Sequence, residues 1–282
     1  MDASQLGQVA EGEERRSGRR WMAVGVAALA VGAGAATLLF LPRDADVRVE
    51  PQLQAERTAP PAVDEGAGAD DRQSGTSAAA RARAPALGNS DGFMRDALTS
   101  LTEGAAAARA WVSGGDTARR AAAVLMGLVE GEVPRSLLSA FAPAGDFEVE
   151  DRDGGLRVKP SSYARYDGIA AWVGGLDAER LGEVYRTVEP VLEQAWREVA
   201  PPRLTLRDAA GKATAHLLSA PLPPEDVELV EKGAVYAFAD PSLESLSPAQ
   251  KQLLRMGPQN ARIVQAKLRE VRAALGLPVG LR

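Results

Sequence analysis

DAERLGEVYRTVEPVLEQAWREV, residues 177 to 199, decides the fold class. Its apolar residues Leu181, Val184, Val188, Leu192, Ala195 and Val199 recur at threes and fours, while Glu179, Glu183, Arg186, Glu193 and Arg197 take the other side. That is the period of a helix burying one face, and it predicts a long amphipathic helix from Asp177. Tyr185 and Trp196 widen the apolar face and are assigned to the core. Pro190 lacks an N–H and its ring crowds the preceding turn, so a kink or a break into two helices is expected near Glu189.

Working outward, a second helix is expected from Pro258, after Gly257, with Val264, Leu268, Val271 and Leu275 as its seam and Gly276 as its stop before Pro278. Ser247, Pro248 and Gln250 have the spacing of a capping box and start another. Helices are further expected over residues 91–101, 117–129 and 204–218. In FEVEDRDGGLRVK, residues 147–159, Asp153-Gly154 signals a type I′ turn. That turn sets Val149 opposite Val158, Glu150 opposite Arg157 and Glu148 opposite Lys159, with opposed charges on one face. Weaker strand signals run from Val227 to Val230 and from Ala234 to Phe238. The expected fold is mainly α: a helical domain over residues 89–280 with a small β-hairpin, preceded by one transmembrane helix and a disordered linker.

The membrane segment is WMAVGVAALAVGAGAATLLFL, residues 21–41, which carries no charge. As a helix it reaches roughly 31 Å, close to the hydrocarbon thickness of a bilayer. Arg15, Arg16, Arg19 and Arg20 precede it and exceed the nearby basic residues after it, which keeps residues 1–20 in the cytoplasm and sends the rest outward. A cleaved signal peptide is the rival reading, since Ala33-Gly34-Ala35 offers small residues at a cleavage position, but the apolar run continues through Leu41. Ala28, Gly32 and Ala36 form a small-residue stripe through which two copies of the span could pack as a homodimer. Residues 42–88 are rich in Ala, Pro, Gly and charge, with no aromatic between Phe40 and Phe93. Such a stretch buries too little apolar surface to offset its ordering entropy and is read as a disordered tether.

Composition removes several chemistries. The 282 residues include no cysteine and one histidine, so disulfides, thiolate metal sites and cysteine nucleophiles are excluded. Net charge is -5, and residues 89–280 carry no single-sign block, which argues against nucleic acid. Arginine outnumbers lysine 28 to 5, a composition typical of GC-rich bacterial coding, and the outer compartment would then be a periplasm beyond a bacterial inner membrane. No cofactor or metal is expected. Gly211-Lys212 lacks the other residues of a phosphate loop, and Asp151 with Asp153 lacks the remaining ligands of a calcium loop. His216 lies on a helix without a visible partner and is read as structural. Glu179 and Glu183, one turn apart, would suit acid–base work only in a cleft. Lys251 and Arg255 repel at i and i+4 unless an anion lies nearby, either Asp240 or Glu244 folding back or an external partner. Tyr163, Arg165 and Tyr166 form a similar aromatic and basic cluster ahead of Asp167, which is read as a helix cap.

With those residues in view, VYAFADPSLESLSPAQKQLLRMGPQNARIV (residues 235–264) and SYARYD (residues 162–167) resemble a bacterial family, domain of unknown function 3014. The resemblance covers roughly residues 93–275. It implies a single-pass envelope protein with no assigned activity, cofactor or site, so no catalytic residue is carried over. The expectation is a non-catalytic envelope module that binds a partner protein through Tyr163, Arg165, Tyr166, Lys251 and Arg255. The alternative is a hydrolase or lyase that uses two carboxylates on a cell-envelope substrate.

Overall fold

Asp177 accepts a hydrogen bond from the backbone N–H of Arg180 at 2.7 Å, and the helix it caps runs from Ala178 to Val199. A computed structural model describes residues 84–233 and 235–278 around it. In chain order these form α1 (Asp91–Thr102), α2 (Ala106–Ser113), α3 (Thr117–Val129), β1 (Val149–Arg152), β2 (Gly155–Val158), α4 (Pro160–Ala164) and α5 (Asp167–Gly175). There follow α6 (Ala178–Val199), α7 (Leu206–Leu218), β3 (Glu228–Lys232), β4 (Val235–Phe238), α8 (Pro241–Glu244), α9 (Pro248–Arg255) and α10 (Pro258–Ala274). Short 3-10 segments lie at Leu87–Asn89 and Arg135–Phe141. The described part is mainly helical with one four-stranded antiparallel sheet. No helix among the described residues is long and apolar enough to cross a membrane. The expected span at 21–41, its Ala28, Gly32 and Ala36 stripe, and nearly all of the expected tether lie outside them.

α6 is the spine. Leu181, Val184, Tyr185, Val188, Val191, Leu192, Ala195 and Trp196 are all buried, and each large apolar side chain among them contributes about 1.5–3 kcal/mol of transfer free energy. α3 and α10 pack along this stripe, with α1 and α7 beside them, and α5 packs on the far side of α10. The helix passes through Pro190 without the expected break. The carbonyl that Pro190 leaves without a partner belongs to Arg186, on the exposed side where water reaches it, and the buried stripe holds both halves in line. Val199, counted with the apolar face, is exposed in the last turn. α7 starts two residues later than expected, because the Leu204 carbonyl accepts the Trp196 indole N–H at 2.7 Å and Thr205 caps the helix through the Asp208 N–H.

Buried polar side chains of the last two helices hold the C-terminal ends of their neighbours. Gln265 donates Nε2 to the carbonyls of Leu217 (3.3 Å) and Ala220 (2.8 Å) at the end of α7, and Lys267 donates to the Leu176 carbonyl beyond α5. The Ser247–Gln250 capping box forms as the spacing requires, with both reciprocal bonds at 3.2 Å. α10 ends in a Schellman motif: Gly276, at φ +55°, sends its N–H to the Ala273 carbonyl, and Leu277 sends its own to Arg272.

The hairpin register matches the sequence pattern, Val149 opposite Val158 and Glu150 opposite Arg157, and Asp153 and Gly154 take the positive φ values of a type I′ turn. It is half of a larger sheet, in the order β1-β2-β3-β4, with Leu156 opposite Leu229 and Leu229 opposite Phe238. The extra strands change the charge pairing. Arg157 turns from Glu150 to Glu228 and Asp226, each at 3.3 Å, and Glu150 pairs with Arg152 instead. Glu148 and Lys159 do face each other, at 3.7 Å. At the N-terminal side, Leu87 and Pro85, which the composition placed in the tether, are fastened to α6 by Gln194, whose Oε1 accepts from Leu87 N–H and whose Nε2 donates to the Pro85 carbonyl.

α3 is capped from outside itself. Its preceding residue, Asp116, sits at φ +47° and makes no side-chain cap, so the Asp91 carboxylate of α1 accepts the N–H groups of Asp116 and Thr117, both at 3.0 Å. The Thr117 bond chiefly, with that of Asp116, holds the Asp91 carboxyl below the ordinary 3.8. Asp91→Ala is expected to cost about 1 kcal/mol, which is about 2–4 °C in Tm for a domain of this size. Because the folded pKa is depressed, this contribution is complete above pH 3.8 and fades as pH falls through the folded value. Urea unfolding of both proteins across that range checks the amount and its acid loss.

Candidate arginine and aromatic site

Tyr163 lies in α4, and Arg165 and Tyr166 form the turn between α4 and α5; two buried amides dock this segment onto the junction of α9 and α10. Asn260 donates Nδ2 to the Tyr163 carbonyl (3.2 Å), the Met256 carbonyl (3.1 Å) and Asp167 Oδ1 (2.9 Å). Asp167 is therefore the first residue of α5 and an acceptor for Asn260, whereas Tyr166 occupies the expected cap position. Gln252 donates Nε2 to the Tyr166 hydroxyl at 3.0 Å. The Tyr163 ring lies over Gly257, at φ +85°, where a Cβ would stand 2.7 Å from Tyr163 Cγ, so only glycine permits this contact.

Arg165, Tyr166 and Arg255 are thereby brought together. The Arg165 guanidinium lies 5.7 Å from the Tyr166 ring centre and 5.8 Å from that of Phe147. Phe147 meets Tyr236 at 6.0 Å, and Arg255 lies 5.5 Å over Phe238 while donating to the Tyr236 carbonyl at 3.5 Å. Arg135, exposed on the 3-10 segment, is close enough to act on both Tyr166 and Arg255. Nothing in the sequence pattern linked Arg135 to this group, because 30 residues separate it from Arg165.

The other two expected site residues have structural duties. Lys251 is held by Glu244, through Oε1 and the backbone carbonyl, both at 3.0 Å, so its anion is internal. Asp240, the other candidate anion, caps α8. Glu244 Oε2 accepts the Phe238 N–H, and no carboxylate among the described residues lies within ion-pair distance of Arg255. Tyr163 serves as packing, and burial pushes its hydroxyl up to about 12.

Burial and neighbouring charges set the electrostatics of this face. Burial pushes the Arg255 guanidinium below its usual range; Glu244 opposes that shift and the like charge of Arg135 adds to it. Burial also raises the Tyr166 phenol, against the Gln252 bond and the charges of Arg165, Arg255 and Arg135. Glu244 is raised by burial but brought lower overall by Lys251, Phe238 N–H and Arg255. Guanidinium groups stacked on aromatic faces suit a carboxylate or phosphate.

The profile of the family described as protein of unknown function (DUF3014) matches residues 117–272, more than half of the chain. The chain belongs to this family. The DUF3014 region contains the whole arginine and aromatic group, from Arg135 to Arg255, together with Gln252 and Asn260. No curated protein and no solved structure matches the chain.

Elsewhere in the DUF3014 region, His216 finds the partner that the sequence did not reveal, with Nε2 2.7 Å from Ser247 Oγ, the same hydroxyl that caps α9. Glu183 pairs with Arg180 at 2.8 Å on the exposed face of α6, and Glu179 is exposed beside it. Asp153 is a turn residue. No cluster of metal-ligating side chains occurs among the described residues. The carboxyls that the fold shifts, Asp91, Glu198, Asp240 and Glu244, are all shifted down, opposite to the need of a general acid.

Burial lowers the His216 pKa below the ordinary 6.5. The unfolded chain therefore binds that proton first as pH drops, and stability present above pH 6.5 declines as pH falls through the folded value. His216→Gln should flatten this part of the curve in urea midpoints taken between about pH 8 and pH 5. Arg255→Met tests a different cost, because it replaces a desolvated cation with no carboxylate partner by an apolar chain of similar length. It should raise stability by about 1 kcal/mol, or about 2–4 °C in Tm. A fall of the same size in thermal unfolding would mark Arg255 as a structural strut.

Proposed function

We propose that the protein is a single-pass, membrane-anchored module of the bacterial cell envelope that binds a partner protein through its arginine and aromatic face and performs no catalysis. The observation that carries this reading is the gathering of Arg135, Arg165 and Arg255 near Tyr166, three cations from separate parts of the chain, none of which forms an ion pair with a carboxylate among the described residues. A protein folding for stability alone gains nothing by concentrating like charges, whereas a face for an acidic partner does. The uncharged segment at 21–41 and the arginines before it support the anchor and the outward orientation, and the tether would let the domain reach a partner beyond the headgroups. The stripe at Ala28, Gly32 and Ala36 would allow the anchors to pair.

The test uses the full-length protein in its own membranes. A reporter active only outside the cytosol, fused after residue 282, should be active. Crosslinking and affinity purification should recover an envelope protein whose yield falls at least tenfold for the double variant Arg165→Glu, Arg255→Glu, and is unchanged for the exposed control Arg180→Glu. Equal recovery from both variants, or a reporter active only in the cytosol, refutes the reading.

A further inference from the structure

Arg165, stacked on Tyr166, and Arg255, stacked on Phe238, have hydrogen-bonding capacity left over. Arg165 donates Nη1 to the Gly145 carbonyl (2.8 Å) and Nε to the Ser162 carbonyl (3.2 Å), and its Nη2 is buried without a partner. Among the described residues the Arg255 side chain makes one hydrogen bond, the 3.5 Å contact to the Tyr236 carbonyl. Gln252, 1% exposed, bonds Tyr166 with one end of its amide and leaves Oε1 without a partner; turning the amide over would leave Nε2 spare instead. Unfilled donors at buried positions are costly, and a ligand oxygen removes the cost.

Both arginines stand at helix C-termini, Arg165 at the cap of α4 and Arg255 as the last residue of α9. The carbonyl ends carry partial negative charge, which suits the arginines but disfavours a group that gathers two charges on one centre, as phosphate does. Lys251, one turn before Arg255 on α9, is engaged by Glu244. Two planar guanidinium forks bordered by Phe147, Tyr236 and Phe238 fit a planar, singly charged group that carries apolar substance behind it.

We propose that Arg165 and Arg255, with Gln252 and Tyr166 between them and Arg135 alongside, form a binding site for a carboxylate on the partner, a Glu or Asp side chain or a chain terminus. This deepens the binding-module reading and rests on it for the partner, while the ligand chemistry stands without the membrane anchor.

The experiment titrates full-length protein in mild detergent with succinate, and separately with inorganic phosphate, at constant ionic strength set with chloride. The ligand-induced rise in thermal midpoint is read in each case. Succinate should give a saturable rise, weakened at least tenfold in apparent affinity by Arg255→Met and by Arg165→Met, and unchanged by Arg180→Met on the exposed face of α6. Arg165→Lys keeps the charge without the fork and should also weaken succinate, which covers the case of Arg165→Met failing to fold. No saturable rise, an equal rise in all variants, or a preference for phosphate overturns the carboxylate site. Succinate binding that depends on Arg165 and Arg255 while partner recovery does not sinks the partner reading and leaves the site standing. Arginine-dependent partner recovery without succinate binding does the reverse.

Discussion

A buried amide or ammonium must be hydrogen-bonded or it destabilises the fold, and five such groups on α9 and α10 decide where the neighbouring elements end. Gln250 reaches the His216 carbonyl, Gln252 reaches Tyr166, Asn260 reaches Tyr163, Met256 and Asp167, Gln265 reaches Leu217 and Ala220, and Lys267 reaches Leu176. Most of these acceptors lie where a helix leaves its last carbonyls without intrahelical partners. Apolar packing on α6 would tolerate small slides of one helix past another; these bonds do not. They fix the ends of α5 and α7 and the turn that carries Arg165.

The candidate site follows from the same constraint. Asn260 and Gln252 pull the Tyr163–Tyr166 turn down onto the α9–α10 junction, and that junction needs Gly257 in a left-handed conformation for Tyr163 to lie across it. Arg165 is then held over Tyr166 and Phe147, with Arg255 on the neighbouring helix end. The sheet completes the surroundings: β4 brings Tyr236 and Phe238, and the approach to β1 brings Phe147. Four parts of the chain thus converge on a patch that carries positive charge and aromatic faces, while Glu244, the carboxylate that acts on Arg255, is already bonded to Lys251 and to the Phe238 N–H.

Much of the scaffold was legible because its signals are local. The period of residues 177–199, the capping box at Ser247, the Gly276 stop and the Asp153-Gly154 turn each act within one or two turns of backbone, and each forms where the residues call for it. α2 and α5 escaped notice because they are short and almost uniformly small or apolar, which gives no contrast between faces. Of the expected site residues, Arg165, Tyr166 and Arg255 do come together. Lys251 belongs to an internal ion pair, Tyr163 to packing, and Arg135 was missed, because a lone arginine beside a proline carries no periodic signal.

The sequence by itself determined the longer helices and their buried faces, the hairpin register and the absence of cysteine chemistry, since all of these depend on residue type and short-range spacing. Only the tertiary structure decided that β2 pairs with β3 across 69 intervening residues, that Arg157 pairs with Asp226 and Glu228 and not with Glu150, and that the charges of three arginines act on one tyrosine. These are contacts between segments far apart in the chain. They exist because buried amides on the last two helices must find acceptors, and those acceptors are the ends of elements formed much earlier.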